Sequence, residues 1–106
     1  MIQCDVALGE PEVNRTKIEE AMERAAHAAE KPDVILLQEL WNTGYALAEI
    51  NRLADPEGQH SRAWLSAFAR RHGIHIIGGS IAENRSGQVY NTMLVFDRNG
   101  DEAAAY

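Results

Sequence analysis

The run Val34-Ile35-Leu36-Leu37, closed by the polar pair Gln38-Glu39, constrains the fold of this chain more than any other segment. Adjacent apolar residues leave no polar face, so the run reads as a strand covered on both sides, as in a parallel sheet. Glu39 then falls at the carboxyl end of a buried strand. In sheets flanked by helices, that is the end where ligands and catalytic groups collect.

The flanking patterns supply the rest of such a fold. Ile2, Cys4, Val6 and Leu8 alternate with Gln3, Asp5 and Ala7, which predicts a strand with one buried face, ended by Gly9-Glu10-Pro11. From about Val13 to Glu30, Ile18, Ala21, Met22, Ala25 and Ala29 recur at helical spacing, with Asn14 as the expected cap. Lys31-Pro32-Asp33 breaks that helix. After the loop Leu40 to Tyr45, residues Ala46 to Ala54 predict a short helix stopped by Asp55-Pro56-Glu57-Gly58. Ser61 is expected to cap a second amphipathic helix that buries Trp64, Leu65, Phe68 and Ala69 and is closed by Gly73.

Ile74 to Ile77 predict a strand prolonged through Gly78-Gly79-Ser80-Ile81-Ala82, the glycines marking a bulge or a close backbone approach. A turn at Glu83 to Gly87, a strand at Val89 to Phe96, an Asn-Gly hairpin turn at Asp97 to Asp101 and a returning strand at Glu102 to Tyr106 complete the chain. This order implies an α/β layer fold with a mixed sheet. With no repeat, linker or low-complexity stretch, residues 1–106 are expected to belong to one domain without an internal boundary. The few helices leave an apolar sheet face bare, so the chain is expected to form part of something larger, or to associate.

Composition narrows the function classes. The chain has 106 residues, 45% of them hydrophobic, and carries a net charge of -6 with its basic residues scattered. Such a balance repels a phosphate backbone, so nucleic acid is not an expected partner. No apolar run is long enough to cross a bilayer, and the N-terminus lacks the pattern of a signal peptide, so a cytoplasmic location is expected. The single cysteine excludes an internal disulfide and a cysteine-rich zinc site. His27, His60, His72 and His75 show no ligand spacing, and neither a metal nor a cofactor is expected.

Glu39 is the strongest candidate for chemistry, because a carboxylate after a buried strand is expected to be partly desolvated and to act as a base near neutral pH. The same residue also fits a carboxylate that caps a loop or pairs with an arginine. Trp41 and Tyr45 fit either the lining of a substrate pocket or packing of their own loop. Asn91 is expected to satisfy buried backbone groups near the site. Cys4, on the inward side of the first strand, reads as a small core residue rather than a nucleophile.

The stretch Val34 to Tyr45, an apolar strand leading to Glu39-Leu40-Trp41-Asn42-Thr43-Gly44-Tyr45, resembles the nitrilase superfamily of carbon-nitrogen hydrolases. Gln3 to Asn14, Gly73 to Ile81 with its Gly-Gly-Ser-Ile, and Tyr90-Asn91-Thr92 followed by Asp97 to Gly100 match the same family in the same order. One departure is Gln38, where a proline is common, which is expected to leave the backbone entering Glu39 less restrained. The resemblance is greatest to bacterial omega-amidase-type members, which cleave the terminal amide of 2-oxo acids such as 2-oxoglutaramate. It implies the N-terminal portion of a four-layer αββα sandwich, incomplete in this chain, and homodimers or higher oligomers.

The resemblance also implies a Glu-Lys-Cys triad acting on a small-molecule, non-peptide amide, with Glu39 as general base. The family lysine follows the strand that begins at Glu102 and the cysteine lies further on, so the 106-residue chain alone is expected to be inactive. Two other readings compete. Asp33 to Glu39 also resembles the exonuclease III-like nucleases and phosphatases, in which Glu39 would bind magnesium. The chain also fits a non-catalytic fragment or assembly module.

Overall fold

The computed structural model describes residues 1–106. It contains helices α1 (Pro11–Ala26), α2 (Ile50–Leu53, after a 3-10 turn at Leu47–Glu49) and α3 (Gln59–His72). Its strands are β1 (Val34–Leu36), β2 (Asp55–Pro56), β3 (His75–Arg85), β4 (Gln88–Phe96) and β5 (Glu102–Ala105). β3 is the spine of one mixed sheet. β1 and β2 run parallel along one of its edges, β4 runs antiparallel along the other, and β5 lies outside β4. The expected α/β fold with a mixed sheet is present.

Both long helices cover the same face of the sheet. Ile18 and Met22, one turn apart on α1, pack with Leu65, Phe68 and Ala69 of α3 against Ile35, Leu37, Ile76, Ile81, Leu94 and Phe96. Each such buried side chain contributes roughly 1.5–3 kcal/mol of transfer free energy, so this layer dominates the stability. The opposite face carries the half-buried Leu36, Ile77, Met93 and Val95. Only its far end is covered, where Leu40, Ile50 and Ala54 lie over Ala82 and Val89. No helix is long and apolar enough to cross a membrane.

The N-terminal segment departs from expectation. Ile2 and Cys4 are half-buried between exposed neighbours, Val6 and Ala7 are both half-buried, Leu8 is exposed, and no ladder forms. Ile2 N–H donates to Leu36 O at 2.8 Å, and Cys4 N–H then meets the Gln38 side-chain oxygen at 2.5 Å instead of a backbone carbonyl. A side chain thus replaces the next rung, so the alternation is that of a strand and the pairing is not. Cys4 packs against the main core, as its small apolar character suggests.

Two expected caps are also corrected. α1 starts at Pro11, two residues before the expected start, so Asn14 lies inside its first turn, 1% exposed. There Asn14 accepts from Ala7 N–H at 2.7 Å and donates to Ala7 O and Asn42 O at 2.8 and 2.9 Å. The helix ends at Ala26 rather than near Glu30, where Ala28 N–H turns back to Ala25 O in a tightened last turn. At α3 the first turn is capped from outside: Asp55 accepts from His60 N–H and Ser61 N–H at 3.3 and 2.8 Å, and Ser61 is simply buried. Asp55 and Pro56, expected only as helix breakers, also form β2 against Glu83 and Asn84. Gly73 closes α3 in the left-handed region, as expected.

β3 runs three residues beyond Ala82, through residues expected to turn. Ser86 and Gly87, both at positive φ, make a two-residue hairpin connection in place of a five-residue turn. The bulge anticipated from Gly78-Gly79 is present, as a shift in the β3–β4 register between Ile77 and Ser80. Gly79 has φ +59, and a Cβ there would overlap the Gln38 carbonyl and stand 2.7 Å from Leu37 O. Only glycine lets the chain leaving β1 come this close.

Candidate active site

The segment that carries Glu39 is strapped to the bulge. Leu37 N–H donates to Ile77 O at 2.9 Å, Ser80 N–H to Gln38 O at 3.2 Å, and Trp41 N–H to Ser80 O at 3.2 Å. The Ser80 hydroxyl accepts from Leu40 N–H at 2.9 Å. Leu40 itself has φ +45, an unfavourable conformation for a branched side chain, which this set of bonds and its burial hold in place. Gln38 is consequently well restrained: its side chain holds Cys4 and its carbonyl holds Ser80, so the absence of proline does not loosen the approach to Glu39.

Just past Glu39, Asn42 takes the place of a neighbouring strand. Its side chain accepts from Ala82 N–H at 3.0 Å and donates to Ala82 O at 3.3 Å, between the stretches of β3 edge covered by β1 and β2. Buried backbone groups require such partners, and Asn42 is 5% exposed. None of Ser80, Asn42 or Asn14 stood out as site residues in the sequence, though Gly-Gly-Ser was the audible signal for the strap.

Glu39 is exposed, and the expected desolvation of its carboxylate is not seen. The reason is its position: it projects beside the open face of the sheet rather than into the helix-covered core. It borders a cleft of about 320 Å³ lined by Leu36, Leu37, Gly79, Ser80, Asn91, Met93 and Tyr106. Asn91 Nδ2 donates to Glu39 Oε1 at 2.9 Å. Asn91 therefore serves the carboxylate directly rather than the buried backbone groups expected of it.

Tyr45 also reaches this carboxylate. Loss of hydration, and then the nearby Glu39 carboxylate, push the Tyr45 hydroxyl above its ordinary pKa of 10.0. Tyr45 does not line this cleft but, at 60% exposed, is accessible on the surface near Glu39. Trp41 is not. It is 1% exposed, its Nε1–H donates to Gly78 O at 2.8 Å, and its ring meets Trp64 edge to face at 5.5 Å. Trp41 and Trp64 line a different groove, of about 290 Å³, between the first turns of α1 and α3. Glu39 does not border that groove, and Trp41 packs within the helix-covered core.

A carboxylate held by one amide at the carboxyl end of a strand is equipped to accept a proton from a group placed in the cleft. No lysine or thiol lines the cleft. No group of three or more His, Cys, Asp and Glu side chains lies close enough to hold a metal ion. His72 is engaged with Glu23 at 3.2 Å and His75 with Arg98 at 3.0 Å.

Comparison with known proteins identifies the family. The family model for carbon-nitrogen hydrolase matches residues 1–106. The chain is 40% identical over 105 residues to 2-oxoglutaramate amidase of Bacillus subtilis, covering 99% of this chain and 39% of that protein. Among solved structures, Nit3 of Saccharomyces cerevisiae, a nitrilase-superfamily member, superposes with a TM-score of 0.86 at 20% identity, covering 100% of this chain and 41% of that one. An amidase from Nesterenkonia sp. AN1, solved with butyramide, has a TM-score of 0.78 at 25% identity over 98% of this chain and 40% of its own. The chain thus spans about two fifths of the length of each of these three relatives, and the exonuclease-like reading gives way: this chain belongs to the carbon-nitrogen hydrolase family, within the nitrilase superfamily.

Proposed function

We propose that the protein carrying these residues is an amidase that hydrolyses the terminal amide of a small 2-oxo acid, with Glu39 as the general base. The observation that carries the proposal is the position of Glu39: it stands at the carboxyl end of β1, accepts from Asn91 and has Tyr45 beside it, on the one sheet face that helices leave open. The 40% identity with 2-oxoglutaramate amidase supports the choice of substrate class. In the proposed reaction Glu39 takes the proton of a cysteine thiol, the thiolate attacks the amide carbon, and a lysine stabilises the oxyanion. Ammonia leaves, and water, deprotonated by Glu39, releases the acid from the thioester.

The lysine and the cysteine are to be sought beyond Tyr106, so this stretch supplies only the base. Tyr45 flanks the substrate, and the whole protein forms a homodimer or larger homo-oligomer in the cytoplasm. The test is ammonia release from 2-oxoglutaramate by the full-length polypeptide. Glu39→Gln, which keeps the shape and removes the base, is expected to lower the rate by about 10²- to 10⁴-fold. The 106-residue chain alone is expected to release none. Ammonia produced by this chain alone, or full activity in Glu39→Gln, would refute the assignment.

A further inference from the structure

We propose that Asn91 is a positioning residue that fixes Oε1 of Glu39 and so selects Oε2 as the oxygen that accepts the proton. The inference rests on the reading of Glu39 as the base and adds the device that aims it. A glutamate in an exposed position has several staggered rotamers open to it, and its two oxygens are equivalent until something distinguishes them. Here the hydrogen bond from Asn91 does. Asn91 Nδ2 lies 2.9 Å from Oε1, and with a carboxylate, which only accepts, the amide must present its N–H₂ rather than its carbonyl.

The bond also closes a ring. Glu39 is three residues from Asn42 along the chain, and Asn42 clasps the Ala82 backbone from one side. Ala82 faces Asn91 across the β3–β4 ladder, and Asn91 returns to Glu39. Loop and hairpin are thereby referenced to one another through two amide side chains, and Asn91 is the only link of this ring that touches the reacting group. In proton transfer Asn91 keeps both of its own protons. The proton of the nucleophile passes to the free lone pair of Oε2, and the bond at Oε1 stays in place throughout.

A set of variants in the full-length polypeptide separates this role from a structural one. Asn91→Leu removes the donor, and Asn91→Asp keeps the shape while replacing the donor by an acceptor. Both are expected to lower kcat by roughly 10- to 100-fold, as loss of a hydrogen bond to a charged group does, with KM little changed and the thermal midpoint preserved. Asn91→Gln, which has room on this exposed face, is expected to recover part of the loss. In a Glu39→Gln background, Asn91→Leu is expected to cause no further loss, because its effect is routed through the carboxylate. An inactive Glu39→Gln beside a fully active Asn91→Leu overturns the positioning role and leaves the base intact. An active Glu39→Gln overturns both. Equal further loss in the double variant assigns Asn91 a role of its own and also overturns the proposal.

Discussion

Asparagine and glycine residues set the geometry around Glu39, and each does so through a property invisible to hydrophobic patterning. Asn14 has the composition and place of a helix cap, and local chemistry alone supports that reading. Its actual partners include Asn42 O, 28 residues away, and a burial of 99% makes those three bonds obligatory rather than decorative. The same holds for Asn42, whose amide substitutes for a strand, and for Gln38, whose amide substitutes for a rung. Gly79 was more legible, since paired glycines in a strand signal close approach, but the group approaching it came only with the tertiary structure. Gly79→Ala combines a left-handed φ with overlap of the Gln38 carbonyl. It is expected to destabilise the fold by about 3 kcal/mol, read as a lowered urea midpoint. A variant as stable as the wild type would show that the strap between Gln38 and Ser80 is dispensable.

Among elements, those with strong periodicity were readable and those held by single side chains were not. α3 and β4 lie close to their expected bounds because their apolar spacing is long and regular. The two-residue β2 depends on contacts between Asp55-Pro56 and Glu83-Asn84, which no window of sequence contains. An ion cluster ties these elements together. Arg62 on α3 donates to Glu83 on β3 at 3.1 Å and to Glu102 at the start of β5 at 2.9 Å, and Glu83 is 1% exposed. Burial pushes the Glu83 carboxyl up, but the neighbouring Thr92 hydroxyl and the Arg62 and Arg85 guanidinium groups outweigh it and hold the pKa below the ordinary 4.5.

A carboxylate whose pKa is lowered by folding contributes stability that is present above its unfolded value and lost as pH falls through the folded one. The chain is therefore expected to lose stability on acidification below pH 4.5, the ordinary value for this carboxyl. Denaturant midpoints between pH 7 and pH 3 are expected to fall less steeply in Glu83→Gln than in the wild type. Parallel curves for the two proteins would show that the cluster makes no net contribution.

At the scale of the molecule, the sheet is dressed on one side. The helical face holds the main core, while Leu36, Ile77, Met93 and Val95 remain half-buried on the other and Val34 is 47% exposed. The expectation of a bare apolar face followed from counting crossovers. The identity of the family followed from motifs spread over the whole chain, whereas the exposure of Glu39 on that bare face was not foreseen. Its neighbouring strand is apolar on both sides, which signals cover in an intact sheet and says nothing about which side lacks it here. In light scattering the 106-residue chain is expected to associate or aggregate, and Met93→Lys together with Val95→Lys to reduce this. A monodisperse wild-type monomer would count against the open face as an association surface.

The strap that holds Glu39 also has an order in time. Leu40 and its anchor, the Ser80 hydroxyl, are 40 residues apart. Chains lengthen from the N-terminus at about 5–20 residues per second, so on the ribosome Leu40 precedes its anchor by roughly 2–8 seconds. During that interval the left-handed turn at Leu40 has nothing to hold it and the carboxylate has no orientation. Glu39 acquires its orientation only when the β3–β4 hairpin is available, a pairing that neighbouring residues can form without waiting for the rest of the chain.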